Sequence, residues 1–318
     1  VADLTATNPQ PLATLQTDLQ AAATFAVTGR SANTTRAYRG CWARFEAYCA
    51  SHNAVSMPAS HNMVAAFLSS LATAGKSYST VTQHHSAIAM AHQVARQPNP
   101  CNDPFVVLAM DGIARQLGVA PKKQARALLP AEARKILAGI GTTKIVDVRD
   151  RALIALWYSG GFRRSEPAGL SLADLTWHDR GCIVMLRRSK TDQHGRGRPV
   201  PLPASAAQTY LRPWATMVER HAKGLGRQPT NQPLFFDLRT GAALSAGAMN
   251  ELVKRRASMA GVEPITGHSL RAGMITGAAR RGVALHIIQH TTGQTMDTLV
   301  RYIRHDSLLE QPASEGLL

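Results

Sequence analysis

Cysteine is scarce in this chain. Four of 318 residues are cysteine (Cys41, Cys49, Cys101 and Cys182), and none stands in a CxxC or CxxH pair. That spacing argues against a disulfide framework, and all four read as reduced thiols, with Cys41 and Cys49 as core residues of a helix. No HxxxH or HxH arrangement stands beside carboxylates, so no metal is expected. Long apolar runs are missing too. The longest is far shorter than a membrane span, and the first residues show no basic stretch leading into an apolar one. The expectation is a cytoplasmic, nucleoid-associated protein with no membrane partner. Internal repeats and low-complexity segments are also absent.

Acidic residues are outnumbered, 20 against 36 Lys and Arg, which leaves a net charge of +16 and a pI of about 10.5. Residues 1–125 carry nine basic and five acidic side chains, net +4, so the remainder carries +12. Such a surplus suits a polyanion, because cations set along phosphates release counterions. A hydrophobic content of 45% with 18% charged residues is that of a globular chain, and 318 residues suffice for two domains.

Residues 1–30 are rich in Ala, Thr and Gln and are expected to be a flexible start. Ser31–Thr35 supply a helix N-cap, followed by an apolar face of Tyr38, Trp42, Phe45 and Cys49 at spacings of three and four. Pro58 opens a second helix bearing Val64, Phe67, Leu68 and Leu71, closed by Gly75. Ser79-Thr80 begins a third, with Val81, Ile88 and Ala95 on one side, and a last helix ends near Leu117. Residues 31–117 therefore read as an all-helical domain. Residues 118–129, with Lys122, Lys123 and Arg126, read as a basic linker. Pro130-Ala131-Glu132 starts a second domain, 130–305, with helices near 131–139, 147–158, 205–222 and 245–260 and more from Ser269. Within it, Cys182–Leu186 and Pro199–Leu202 read as a strand, polar turn and strand. A tail, 306–318, holds Leu308, Leu309, Leu317 and Leu318 and is a candidate docking segment for a neighbouring protomer.

The second domain holds a set of groups suited to metal-free phosphodiester transfer. Gly161-Phe162-Arg163-Arg164-Ser165-Glu166, Ser189-Lys190-Thr191-Asp192, His268-Ser269-Leu270-Arg271 and Arg301-Tyr302 follow in that order. A pentavalent phosphorus spreads negative charge over its non-bridging oxygens, and planar guanidiniums answer it because they donate in pairs and stay charged. Arg163 follows a Gly-Gly turn, and Arg271 falls in the first turn of a predicted helix, where free N–H groups also favour an anion. Glu166, three residues beyond Arg163, is placed to orient it. Lys190 lies between the predicted strands, among Arg187, Arg188, Arg196 and Arg198, which are candidate phosphate contacts. Two nearby guanidiniums would lower a lysine pKa toward that of a useful acid. Phenolate is both a workable nucleophile and a moderately good leaving group, so a phosphotyrosine link is reversible without ATP.

These four motifs, in this order, resemble the tyrosine recombinase (phage integrase) family over about residues 127–305. More weakly, Asn33-Thr34-Thr35-Arg36-Ala37-Tyr38 resembles the start of that family's core-binding domain. The resemblance implies a mainly α fold: an all-helical core-binding domain and a mostly helical catalytic domain with a small β-hairpin or sheet, clamped around DNA. It implies Tyr302 as nucleophile, Arg163 and Arg271 as transition-state ligands, Lys190 as general acid and His268 as assistant. Arg164 is left as a neighbour of the catalytic position. Arg36, Lys122 and Lys123 join the hairpin arginines as expected DNA contacts. No cofactor and no small-molecule substrate are implied; the partners are a double-stranded DNA site and a homotetramer in the synaptic complex.

The sequence departs from the family at one place. A Gly-His or Gly-Trp pair normally stands ten and nine residues before the tyrosine, whereas Gly293-Gln294 stands nine and eight before Tyr302. Either one residue is missing and Gln294 is the candidate for this sixth position, or Gly293 itself occupies it. The alternatives are a type IB topoisomerase, which shares the chemistry without partner exchange, a DNA-binding protein with impaired catalysis, and a helix-turn-helix regulator.

Overall fold

The computed structural model describes residues 32–120, 126–187, 197–226, 228, 230, 232–300 and 302. Segments 1–30 and 306–318, and Lys122, Lys123, Arg188, Lys190 and Arg196, lie outside the described residues. The chain divides into two compact units, Val1–Lys123 and Gln124–Leu318.

The first unit contains α1 (Ala32–Ser51), α2 (His61–Thr73), α3 (Tyr78–Val94) and α4 (Pro104–Leu117). Three of these helices start at a side-chain cap that takes an otherwise unpaired backbone N–H. Ser60 accepts from Met63 N, Ser77 from Thr80 N, and Asp103 from Phe105 N. These caps correct two expected starts: α2 begins after Ser60 rather than at Pro58, and α3 begins after Ser77 rather than at Ser79. Ala95 is exposed at the end of α3 and does not join its apolar side. The core joins Phe45 and Cys49 of α1 to Val64, Phe67 and Leu68 of α2, Val81 and Ile88 of α3, and Val106 and Ile113 of α4. His92, fully buried, donates from Nδ1 to Ile88 O and accepts from Ala59 N at Nε2, which ties the chain before α2 to α3.

The second unit is built around α6 (Ile145–Gly160), which is buried on nearly every side. Before it comes α5 (Pro130–Ala138), opened by Pro130 and by the Glu132 carboxylate accepting from Leu129 N. After it come β1 (Leu175–His178), β2 (Gly181–Leu186) and β3 (Arg198–Pro203), an antiparallel sheet in the order β1-β2-β3. The register pairs Leu175 with Val184 and Val184 with Val200. Cys182, Val184 and Leu186 of β2 and Val200 and Leu202 of β3 turn into the core against Leu153, Ile154 and Trp157 of α6. The short β1 adds a third strand to the expected hairpin.

Then follow α7 (Ala204–Ala206), a π turn (Ala207–Leu211), α8 (Arg212–Gly224), α9 (Ala246–Met259), α10 (Gly267–Arg280), α11 (Leu285–Thr292) and α12 (Met296–Val300). A buried ionic network fixes α9 to α6: Arg256 donates to Asp150 at 2.7 Å and to Asp147 at 2.6 Å. Arg149 adds a second guanidinium on Asp150, at 2.8 and 3.0 Å. Three charges are thus removed from water, and that of Asp147 in part, with their hydrogen bonds made, the condition under which burying charge is tolerated. Among the described residues no helix is long and apolar enough to cross a membrane.

The entry to this unit docks directly on α10. Leu128 is fully buried, its N–H donates to Ser269 O at 3.0 Å, and its carbonyl faces Gly273. A β-carbon at Gly273 would stand 1.8 Å from that carbonyl oxygen. Glycine is therefore required here by close approach of two backbones. Gly273→Ala is expected to destabilise this unit by about 1–3 kcal/mol, the usual cost of overpacking. A urea midpoint for the unit equal to the parent's would show that the two backbones part freely.

Candidate active site

The C-terminus of α11 is where the site is assembled. A helix ends with carbonyls that have no intrahelical partner and carry partial negative charge. Here three guanidiniums from three different elements take them in succession. Arg198, the first residue of β3, donates through Nη1 to Thr291 O and, at 3.3 Å, to His290 O. Arg271 of α10 donates to Thr292 O at 2.9 Å. Arg163, just beyond α6, donates to Gly293 O at 2.8 Å. Gly293 closes the helix at φ +61°, a left-handed turn that glycine adopts without strain.

Glu166 supplies the balancing charge. Its side chain is 1% exposed, and it accepts from Arg163 Nη1 at 2.9 Å and from Arg163 N at 2.7 Å. Arg198 Nη2 lies 3.9 Å from the same carboxylate. Arg271, 2% exposed, also donates to Gly161 O at 2.6 Å. Burial, and then Arg163, push its pKa down to about 10, against the pull of Glu166 and Tyr302. It remains a cation at neutral pH. Burial likewise lowers the Arg198 pKa; Glu166 raises it and Arg163 lowers it further.

The expected residues fall as follows. Arg163, Glu166 and Arg271 come together. Arg271 stands at the fifth position of α10 rather than in its first turn; His268 occupies that turn. His268 Nε2 is 3.1 Å from Tyr302 Oη, and the Tyr302 carbonyl accepts from Thr276 at 3.3 Å. The ring packs beside Ile275, Ile288 and Leu299. Burial, then Arg271, lower the His268 pKa. The imidazole is neutral at pH 7, and in the Nδ1-protonated tautomer its Nε2 accepts from the phenol. Gln294 follows the capping glycine directly, and its Oε1 is buried without a hydrogen-bond partner.

Two arginines expected on a DNA-facing turn have different surroundings. Arg187 is largely exposed and reaches back 2.5 Å to Asp174. Arg198 is held inside the arginine cluster, with its side chain 17% exposed, and is not an open-turn residue. Arg36 is exposed on α1, 3.4 Å from Asn33 Oδ1. Among the described residues no three His, Cys, Asp or Glu side chains gather as metal ligands.

The family model for the phage integrase family matches residues 126–308. The chain belongs to that family: it is a tyrosine recombinase. It is 30% identical over 295 residues to an integrase/recombinase XerD homolog of Selenomonas ruminantium, covering 88% of this chain and 84% of that one. It is 31% identical over 159 residues to the tyrosine recombinase XerD of Neisseria meningitidis serogroup B, about half of each chain. The fold is similar to that of the Tn1549 transposon integrase in complex with transposon right end DNA, with a TM-score of 0.62 at 18% identity over 91% of this chain and 96% of that one. It is also similar to the XerH recombinase in a post-cleavage complex with a difH substrate, with a TM-score of 0.58 at 22% identity over 85% and 75%.

Glu166→Gln tests the charge balance. The amide keeps the shape but leaves Arg163 and Arg198 without their anion and turns an NH2 toward donors. The expected cost is about 3 kcal/mol in urea unfolding of this unit, as for breaking a buried pair from one side. A loss below about 1 kcal/mol would mean that the α11 carbonyls hold the guanidiniums unaided.

Proposed function

We propose that this recombinase cleaves and rejoins duplex DNA at a specific site through a 3′-phosphotyrosine on Tyr302. The observation that carries the proposal is the 3.1 Å contact between Tyr302 Oη and His268 Nε2, beside the buried Arg271 and its partner Arg163. In the reaction the Tyr302 oxygen bonds to the scissile phosphorus while His268 takes the phenolic proton. The P–O5′ bond breaks, and Lys190 gives its proton to the leaving oxygen. Arg163 and Arg271 neutralise the charge that grows on the non-bridging oxygens, already fixed in place before the reaction begins. Gln294 offers one further amide donor. Attack by a 5′-hydroxyl reverses the steps, and one phosphoester replaces another without ATP.

Both units would contact DNA, with Arg36, Lys122, Lys123, Arg187, Arg188 and Arg196 on phosphates, and four chains would act on two duplexes. Sedimentation of the complex checks that stoichiometry; a limit of one chain per site would remove the tetramer. The comparisons do not favour the topoisomerase or the inactive binder.

A suicide duplex nicked beside the cleavage point traps the intermediate. Tyr302→Phe should bind it normally and form no adduct; any adduct in that variant dismisses Tyr302. Lys190→Ala should cleave about 10²–10⁴-fold more slowly. A 5′-bridging sulfur, which needs no proton, should restore it. Equal defects on both substrates would move Lys190 to phosphate positioning.

The pH profile follows from His268. Its lowered pKa means that protonation, which removes the acceptor at Nε2, begins below the ordinary histidine value of about 6.5. Single-turnover cleavage should fall as the pH is lowered below about 6.5, and His268→Gln should lack that acid limb. A limb that survives in the variant assigns it to another group.

A further inference from the structure

We propose that Arg198 is a positioning residue for the cleavage reaction, fixing the α11 terminus on which Arg163 and Arg271 are aligned. The inference rests on the function proposed above. Arg198 reaches the two carbonyls immediately before those of Arg271 and Arg163, His290 O and Thr291 O. It also lies 3.9 Å from the Glu166 carboxylate that orients Arg163. It thus touches both supports of the catalytic pair. The turn rests on it closely enough that a β-carbon at Gly293 would stand 2.8 Å from Arg198 Nε.

The arrangement has a chemical reason. Arg163 holds Glu166 and one carbonyl, Arg271 holds two carbonyls, and the N–H groups beyond these would meet phosphate. The carbonyls are useful anchors only if the helix end is itself immobile. Arg198 spans two of them from the sheet, which neither catalytic arginine contacts by a hydrogen bond among the described residues. Its charge also holds Glu166 against Arg163. Loss of Arg198 would let the turn shift, and a displacement of about 1 Å at a reacting centre can cost about 10²-fold in rate. The same turn leads through α12 to Tyr302, so the nucleophile would shift with it.

The experiment compares wild type, Arg198→Ala and Arg198→Lys on the nicked suicide duplex, at saturating protein and constant ionic strength. Arg198→Ala is expected to lose about 10²-fold in the single-turnover rate, with its DNA dissociation constant within about threefold of wild type, since distributed phosphate contacts set affinity. Guanidinium ion at tens of millimolar should restore part of the rate, whereas methylammonium at the same concentration should not. Arg198→Lys keeps the charge but lacks the fork that spans two carbonyls, so its rate should fall while its fold and affinity persist; this variant decides the matter if the alanine form does not fold. A wild-type rate in either variant overturns the proposal. So does a fall in rate, affinity and melting temperature together without guanidinium rescue, which would make Arg198 a fold residue only. Absence of any adduct in wild type would instead sink the phosphotyrosine reading itself.

Discussion

The carbonyls left without helix partners at the end of α11 organise this unit. Three guanidiniums cannot gather unaided in a semi-buried space, because their mutual repulsion grows as water is excluded. Here each is drawn in by a backbone oxygen that no helix residue can use. Among the described residues, Glu166 supplies the negative charge that pairs with them. The carbonyls give direction as well as compensation. They fix where each fork lies and leave the remaining N–H groups for a ligand. A substrate phosphate would meet cations whose ordering cost was met during folding, the condition under which electrostatic stabilisation is most effective.

The same turn explains how distant segments are brought to one place. Arg163 comes from the end of α6, Arg198 from β3 and Arg271 from α10, elements whose packing depends on separate parts of the core. Trp157 of α6 donates to Phe162 O at 2.9 Å and so steadies the chain just before Arg163. Leu128 and Gly273 lock α10 to the start of the unit. Valine and leucine on β2 and β3 seat the sheet against α6. Each arginine is thereby delivered by a rigid element, and the α11 terminus needs only to hold them together.

Much of this was legible in the sequence, and the reason differs from residue to residue. Arg163, Glu166, His268, Arg271 and Tyr302 could be read because their chemistry lies in their side chains and their spacing is characteristic. The helices of the first unit could be read from apolar positions three and four apart. Their starts were misplaced where Ser60 and Ser77, ordinary residues in a run of small polar ones, provide the caps. β1 went unread because four residues show too little alternation. Arg198 was read as a candidate phosphate contact, and its place in the arginine cluster was missed, because its partners are backbone carbonyls. Every residue type carries a carbonyl, so nothing in the letters at 290 and 291 marks an arginine site. The Asp147, Asp150, Arg149 and Arg256 network escaped for a related reason: its partners lie far apart in sequence, and charge alone does not reveal which carboxylate faces which arginine.

The shortened Gly293-Gln294 segment gains a physical meaning from this arrangement. Gly293 has two tasks that do not depend on the residue after it: it ends α11 in a left-handed turn, and it offers its carbonyl to Arg163. The spacing to Tyr302 is therefore measured from a fixed point. From that point the short α12 carries the chain to Tyr302, whose hydroxyl meets His268. His268 stands one helical turn before Arg271 on α10, so the imidazole and the buried arginine share one rigid element. A chain one residue shorter than the family pattern still closes this circuit. The element that holds the proposed transition-state ligands also sets the distance to the proposed nucleophile, so charge stabilisation and attack geometry would both be consequences of the same helix end.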